Sequence, residues 1–86
     1  MSRPILYTQT DCVDSAAEGQ KVRDWLIQHD IPFTERNVTG DLKAALALYE
    51  TGIFATPLLL VDNVKVLGFR TRELTEVVDV ALRSVA

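Results

Sequence analysis

The only cysteine of the chain, Cys12, stands in the segment DCVDS, where its type and neighbours allow redox chemistry. The thiolate is the form of cysteine that attacks disulfides, and amide N–H groups at the amino terminus of a helix stabilise it. Asp11 and Asp14 flank the sulfur, and their negative charges oppose ionisation of the thiol. Ser15 follows three residues later, where a second cysteine would complete a redox pair. Cys12 is therefore a candidate nucleophile without a resolving partner.

Two elements must position Cys12 for this chemistry, a strand before it and a helix after it. The segment PILYT (4–8) is short, apolar and β-prone, which predicts a buried strand. Apolar residues between Ser15 and His29 recur at helical spacing and predict a helix. A lone cysteine in a small domain is more often a buried apolar residue than a nucleophile. Because this placement favours the thiolate, we nevertheless expect Cys12 to be accessible and more reactive than an ordinary thiol.

The start of this helix has two interpretations. SAAE (15–18) is a capping box, in which Ser15 accepts from the N–H of Glu18 and the Glu18 side chain reaches the N–H of Ser15. A helix that begins near Val13 would instead be about one turn longer and would place Cys12 at its amino terminus. Cap preferences contribute only about 1 kcal/mol, and tertiary packing can override them. We favour the longer helix.

The rest of the chain alternates between strand and helix patterns. The full order, β-α-β-α-β-β-α, predicts an α/β fold with one four-stranded mixed sheet and three helices distributed over its faces. Two strands joined by a helix should be parallel, and Asp62-Asn63 should make the turn of an antiparallel hairpin. After the first helix we expect a strand at 31–38 and a helix at 39–52, which Asp41 caps and Gly52 ends. A strand covered on both faces should follow at 57–63, and another strand at 64–69. The last helix is expected at 71–86, capped by Thr71, and its buried face comprises Leu74, Val77, Val78, Ala81 and Leu82.

Composition limits the kinds of protein and of site that the chain can represent. Its 86 residues and 48% hydrophobic content predict one folded domain over 1–86. A net charge of −3 without a basic block argues against nucleic-acid binding, and the longest aliphatic run, 58–61, is too short for a membrane span. One cysteine excludes a multi-thiolate zinc site, and Asp11 with Asp14 lacks a third ligand, so no metal is expected. We expect a cytoplasmic monomer.

Three segments of the chain resemble the glutaredoxin branch of the thioredoxin superfamily. ILYTQTDCVDS resembles the family's strand and Cys-x-x-Cys entry, ATP resembles its Thr-Val-Pro, and VLGF resembles the glycine-containing end of its fourth strand. DCV and GFR are also similar to the NrdH redoxins, which are glutaredoxin-like donors for ribonucleotide reductase. The resemblance covers nearly the whole chain and implies a thioredoxin-like fold. It also implies a cis bond between Thr56 and Pro57, whereas the bonds before Pro4 and Pro32 are expected to be trans.

The resemblance implies a role for each matching position. Cys12 would be the attacking thiolate, and Ser15 occupies the position of the resolving cysteine. The backbone at Thr56 and Pro57 would pair with an extended peptide or with glutathione. The implied site comprises Cys12, its neighbours Gln9, Asp11, Val13, Asp14 and Ser15, and a groove formed by Ala55, Thr56, Pro57, Gly68, Phe69 and Arg70.

The chain departs from the family at positions that bind glutathione. Gln9 stands where a lysine usually assists the thiolate and the glycine carboxylate of glutathione. Arg70 and Thr71 replace acidic residues that many glutaredoxins use to hold the γ-glutamyl end, although Arg70 could offset the charge of the two aspartates. No cofactor is expected to be bound, and glutathione is a candidate reductant.

The predicted function is that of a monothiol thiol–disulfide oxidoreductase. Cys12 would attack protein disulfides or glutathionylated proteins, and glutathione or another small thiol would resolve the product. One alternative is a redox-inactive thioredoxin-fold module that binds a partner in the proline groove. The other is an iron–sulfur cluster carrier like the monothiol glutaredoxins, but CVDS stands where those proteins have Cys-Gly-Phe-Ser.

Overall fold

The computed structural model describes the backbone of residues 3–85 and the side chains of residues 3–79. Seven elements follow one another in the predicted order: β1 (Ile5–Thr8), α1 (Val13–Gln28), β2 (Thr34–Asn37), α2 (Leu42–Glu50), β3 (Leu58–Val61), β4 (Val64–Leu67) and α3 (Thr71–Val85). The strands form one sheet in the order β2-β1-β3-β4. β1 and β2 are parallel, whereas β3 is antiparallel to both β1 and β4. The predicted fold class is confirmed.

The central strands β1 and β3 are buried on both sides, as the apolar run at 57–63 predicted. Leu6 lies opposite Leu59 in the register, and Tyr7 lies opposite Leu58. Because successive side chains point to opposite faces of a sheet, these two pairs enter different clusters. Leu6 and Leu59 pack with residues of α1 and α3 in the main core, whereas Tyr7 and Leu58 pack with Leu48 of α2. Two helices therefore cover one face of the sheet, and α2 alone covers the other.

The longer interpretation of the first helix is confirmed, because α1 begins at Val13 with Cys12 as its N-cap. The alternative start, a capping box at 15–18, is not formed, since the side chains of Ser15 and Glu18 bond to other segments. Tertiary contacts have thus overridden a local capping preference. The helix then ends at Gln28, and Asp30 follows with a positive φ of 55°.

The ends of the other helices agree with the sequence except at one residue. Asp41 caps α2 by accepting from the N–H of Ala44 at 3.1 Å, and Gly52 follows α2 with a φ of 84°. Thr71 was expected to cap α3 but is its first residue, because the carbonyl of Arg70 already accepts from the N–H of Leu74. Leu74, Val77 and Val78 are buried as predicted. Ala81 and Leu82 lie outside the described side chains.

An ion pair joins α1 to the edge strand β2. The Arg23 guanidinium donates to both carboxylate oxygens of Glu35, each at 2.6 Å. The buried hydroxyl of Thr8, at the end of β1, donates to the same carboxylate at 2.9 Å. The hydrogen bond from Arg23 is the main reason that the pKa of Glu35 lies below its usual range. Within residues 3–85, no helix is long and apolar enough to cross a membrane.

Candidate active site

Cys12 is an exposed thiol at the junction between β1 and α1. It has extended backbone angles, φ −119° and ψ 119°, and its carbonyl accepts the first helical bond from Ala16 at 2.9 Å. No side-chain hydrogen bond caps this end of α1. An N-cap side chain stands next to the amides of the first turn, and the helix dipole favours an anion there. The structure thus confirms that Cys12 is accessible and lies at the amino terminus of a helix, whereas its reactivity stays a prediction.

A chain of polar side chains connects the three segments around Cys12. The hydroxyl of Ser15 donates to the carbonyl oxygen of Thr56 at 3.1 Å and is also hydrogen-bonded to the Thr56 hydroxyl. The Thr56 hydroxyl in turn donates to the amide oxygen of Gln9 at 3.2 Å. The end of β1, the first turn of α1 and the loop before Pro57 are thereby held together. Three of the predicted site residues thus form one network.

The proline loop contacts the end of β4. The Thr56–Pro57 bond is cis, as predicted, and it is the only cis bond in the part of the chain that the structure describes, so the bonds before Pro4 and Pro32 are trans. The carbonyl of Pro57 accepts from the N–H of Gly68 at 2.8 Å. Phe69 is half-buried and packs against the main core. Pro57, Gly68 and Phe69 therefore lie on neighbouring segments.

Glu18 belongs to the same region, although the sequence assigned it only to a cap. Its carboxylate accepts from the N–H of Phe69 at 2.7 Å and ties α1 to the residues after β4. Gly68 has a φ of 81°, and a Cβ added there would collide with this carboxylate. The sequence feature that could have pointed to Glu18 is its position one turn after Ser15, on the same face of α1.

The remaining predicted residues are more dispersed around Cys12. Asp11 accepts from the hydroxyl of Thr39 at 3.4 Å, and Asp14 is exposed. Arg70 makes its ion pair with Glu73, at 3.9 Å, rather than with either aspartate. Val13 and Ala55 are exposed. In the described part of the chain, the two negative charges beside the sulfur thus have no basic partner within ion-pair distance.

Thr39 is a contact residue that the sequence did not point to. Its hydroxyl accepts from the N–H of Thr10 at 3.0 Å, and its own N–H donates to Asn37. The first bond ties the loop that leads from β1 to Cys12 to the segment after β2, and the second fixes the backbone of Thr39 within that segment. No spacing in the sequence brings residues 10 and 39 together, because they meet only through the parallel pairing of β1 with β2.

Possible metal ligands are scattered over the molecule. Among the side chains of residues 3–79 there is no group of three or more His, Cys, Asp or Glu residues that could hold a metal ion. His29 lies at the opposite end of α1 from Cys12, where its ring stacks on Trp25 at a centroid distance of 4.2 Å. A Cys–His pair is therefore not formed.

No protein-family model matches the chain. The glutaredoxin-like protein NrdH of Lactococcus lactis subsp. cremoris (strain MG1363) is 28% identical over 71 residues, which cover 83% of this chain and 93% of the relative. The solved thioredoxin-like protein BC3987 is 26% identical, with a TM-score of 0.75 over 87% of this chain and 99% of that chain. The solved NrdH-redoxin from Escherichia coli, 24% identical with a TM-score of 0.71 over 87% of this chain and 93% of that chain, agrees in fold. The element order, the position of Cys12 and these similarities together support a glutaredoxin-like protein of the NrdH type within the thioredoxin superfamily.

Proposed function

We propose that the chain is a monothiol thiol–disulfide oxidoreductase in which Cys12 is the nucleophile. The observation that carries this proposal is the exposed thiol at the N-cap of α1, where no side chain competes for the amides of the first turn. A disulfide can reach such a sulfur, and the helix amino terminus favours the attacking anion. The similarity to glutaredoxin-like proteins of the NrdH type indicates thiol–disulfide redox chemistry.

The reaction proceeds by two successive exchanges. The Cys12 thiolate attacks one sulfur of a substrate disulfide, forms a mixed disulfide with it and releases the other sulfur as a thiolate. An external thiolate then attacks the mixed disulfide at the substrate sulfur, forms a new disulfide with it and restores the Cys12 thiolate. Because the chain has one cysteine, no internal thiol can perform the second step. One external thiol thus ends in a disulfide with the substrate sulfur. When the substrate is a protein disulfide, a second external thiol must reduce this new disulfide, so two external thiols together supply the two electrons of the overall reduction.

Within the implied groove, Thr56, Pro57, Gly68 and Phe69 are the residues proposed to contact the substrate. Ser15 supports this groove, since its hydroxyl holds both the carbonyl and the hydroxyl of Thr56. The neutral Gln9 and the ion-paired Arg70 offer little to the carboxylates of glutathione. The proposal therefore rests on the exposed thiol and not on recognition of glutathione. The substrates are protein disulfides and glutathionylated proteins, and glutathione or another small thiol, without specific contacts to its carboxylates, is the reductant.

Turnover of a mixed disulfide between glutathione and a small thiol tests this function. The wild-type protein should accelerate its reduction by excess glutathione, whereas Cys12→Ser should not, because it removes the nucleophile. Thr75→Ala is a matched control, since it deletes a hydroxyl on α3 that bonds only to the carbonyl of Thr71. Wild-type protein with no more activity than Cys12→Ser would exclude the proposal.

The second candidate is a binding module that holds an extended peptide in the proline groove without turnover. Two observations favour it: Asp11 and Asp14 oppose the thiolate, and the hydroxyl of Ser15 is engaged by Thr56. A binding module would retain its affinity for a peptide partner in Cys12→Ser. An oxidoreductase would instead lose the covalent mixed-disulfide complex with that variant.

A further inference from the structure

The outward face of α2 carries large apolar side chains that the fold leaves uncovered. Ala44 and Leu48 are buried against the sheet, but Leu42, Leu46 and Tyr49 are 74%, 54% and 65% exposed. Their spacing of four and three residues aligns them along one side of the helix. Phe54, which is 66% exposed, extends this row because its ring lies 4.7 Å from that of Tyr49. We call Leu42, Leu46, Tyr49 and Phe54 the α2 stripe.

The α2 stripe is comparable in area to the largest apolar patch of a typical monomer. A large apolar side chain has roughly 150–250 Å² of surface, so the four exposed fractions amount to roughly 500 Å². The largest apolar patch on a typical monomer covers about 300–600 Å² and is often functional. The stripe therefore has the size of a functional surface, and its charges indicate which partner it fits.

Two opposite charges lie along one flank of the stripe. Lys43 and Glu50 are seven residues apart, nearly two full turns, so both stand on the same side of α2. They are about 10 Å apart along the helix axis. Among the described residues, the three ion pairs involve neither of them. One end of the flank is thus positive and the other is negative.

This arrangement is complementary to itself. If two α2 helices face each other antiparallel across a twofold axis, the same flank of both copies lies on the same side of the interface. The axis would pass near Leu46, and each Leu42 would face the Tyr49 of the other copy. Lys43 of each copy would then face Glu50 of the other, giving two equivalent ion pairs.

We infer that the α2 stripe is the contact surface of a symmetric dimer, with a second copy of this chain as its occupant. Two stripes would bury about 1,000 Å², which is at the lower limit for a specific interface, so the dimer is weak and reversible. The inference is independent of the proposed redox function, because neither the stripe nor its flanking charges include Cys12.

Sedimentation velocity from about 5 to about 500 μM protein tests this inference, since weak complexes dissociate in this range. A reductant must be present so that disulfides between Cys12 side chains do not contribute. The wild-type protein should shift from monomer to dimer as its concentration rises. Leu46→Glu should remain monomeric throughout, because it places two carboxylates at the centre of the contact.

The charge variants identify the arrangement of the two copies. Lys43→Glu should weaken association about tenfold, because two favourable pairs become two repulsive ones. The double variant Lys43→Glu with Glu50→Lys should return to within about twofold of the wild type. Ile27→Glu, a matched change on the exposed surface of α1, should have no effect. A wild-type protein that stays monomeric, association that Leu46→Glu or Lys43→Glu leaves unchanged, or a double variant that associates no better than Lys43→Glu would overturn the inference.

Discussion

The Ser15 hydroxyl lies one helical turn after Cys12 and bonds to Thr56 rather than to the amides of its own helix. The residue in the resolving position therefore supports the loop before Pro57. A thiol at this position would offer a much weaker hydrogen bond to the Thr56 carbonyl. Ser15 thus stands where a resolving cysteine would be, and its hydroxyl supports the groove instead.

Ser15→Cys should produce a dithiol that closes under mild oxidation. Residues three apart in a first helical turn have Cβ atoms about 5–6 Å apart, and a disulfide needs Cα atoms within about 7 Å. We expect no free thiol in the oxidised monomer, whereas the wild type keeps its single thiol. The free energy of unfolding of the reduced variant should be about 1 kcal/mol lower than that of the wild type, because the hydrogen bond to Thr56 is weakened. Two free thiols in a folded, oxidised monomer would show that Cys12 and position 15 do not face each other.

Gly68→Ala should destabilise the protein by about 1–3 kcal/mol. Its φ of 81° is unfavourable for alanine, and the added methyl group would displace the Glu18 carboxylate from the N–H of Phe69. Gly19→Ala is the matched control, because its Cβ would meet only ordinary contacts, the nearest at 3.4 Å from the Thr8 methyl carbon. Replacing a glycine by alanine inside a helix stabilises the helix by up to about 1 kcal/mol. In urea unfolding, Gly68→Ala should therefore lower the free energy of unfolding and Gly19→Ala should raise it. Equal changes in the two variants would contradict the contacts described for Gly68.

At the scale of elements, α1 is fixed to the sheet at several points along its length. Its first turn bonds to the proline loop through Ser15, its second turn reaches Phe69 through Glu18, and its middle reaches β2 through Arg23. Each of these polar contacts joins residues distant in sequence. The position of Cys12 thus depends on the whole helix rather than on its cap.

The Arg23–Glu35 pair should make stability depend on pH in the acid range. Because the folded state lowers the pKa of Glu35, the pair contributes fully above the ordinary glutamate value of 4.5. Its contribution is then lost as the pH falls through the lower, folded-state pKa. Glu35→Gln should cost about 1 kcal/mol near pH 7, and this difference should shrink steadily below about pH 4.

Glu76→Gln is the matched control for this pH dependence. It removes a more exposed pair with Arg72, 3.8 Å apart within α3, so its effect on the unfolding free energy should be smaller. Urea unfolding at a series of pH values distinguishes the two variants. A Glu35→Gln difference that stays constant between pH 7 and pH 3 would rule out the proposed linkage.

At the scale of the molecule, the sequence predicted the element order and most helix ends because these depend on local patterns. The structure confirms three such local features, the cap at Asp41, the helix end at Gly52 and the hairpin turn at Asp62-Asn63. Each of them depends only on residues adjacent in sequence. The partners of Glu18 and Thr39 could not be predicted in this way. Glu18 meets Phe69 across 51 residues, and Thr39 meets Asp11 across 28, so both contacts exist only after the sheet has formed.

The exposed face of α2 is a second feature that could not be predicted, because the sequence does not distinguish the buried side of this helix from the exposed side. The run LKAALALYE is apolar on two sides, and periodicity alone does not say which side is buried. The fold buries Ala44 and Leu48 and leaves the α2 stripe outside. A monomer was expected from the sequence, whereas the inferred dimer follows from this burial pattern.

The most direct measurement of the central claim is the intact mass of the protein after incubation with oxidised glutathione. Cys12 should gain one glutathionyl group, and added thiol should remove it and restore the original mass. The Cys12→Ser variant should keep its mass throughout. A wild-type protein that forms no adduct, or an adduct that excess thiol cannot release, would contradict the account of Cys12 as a redox nucleophile that an external thiol resolves.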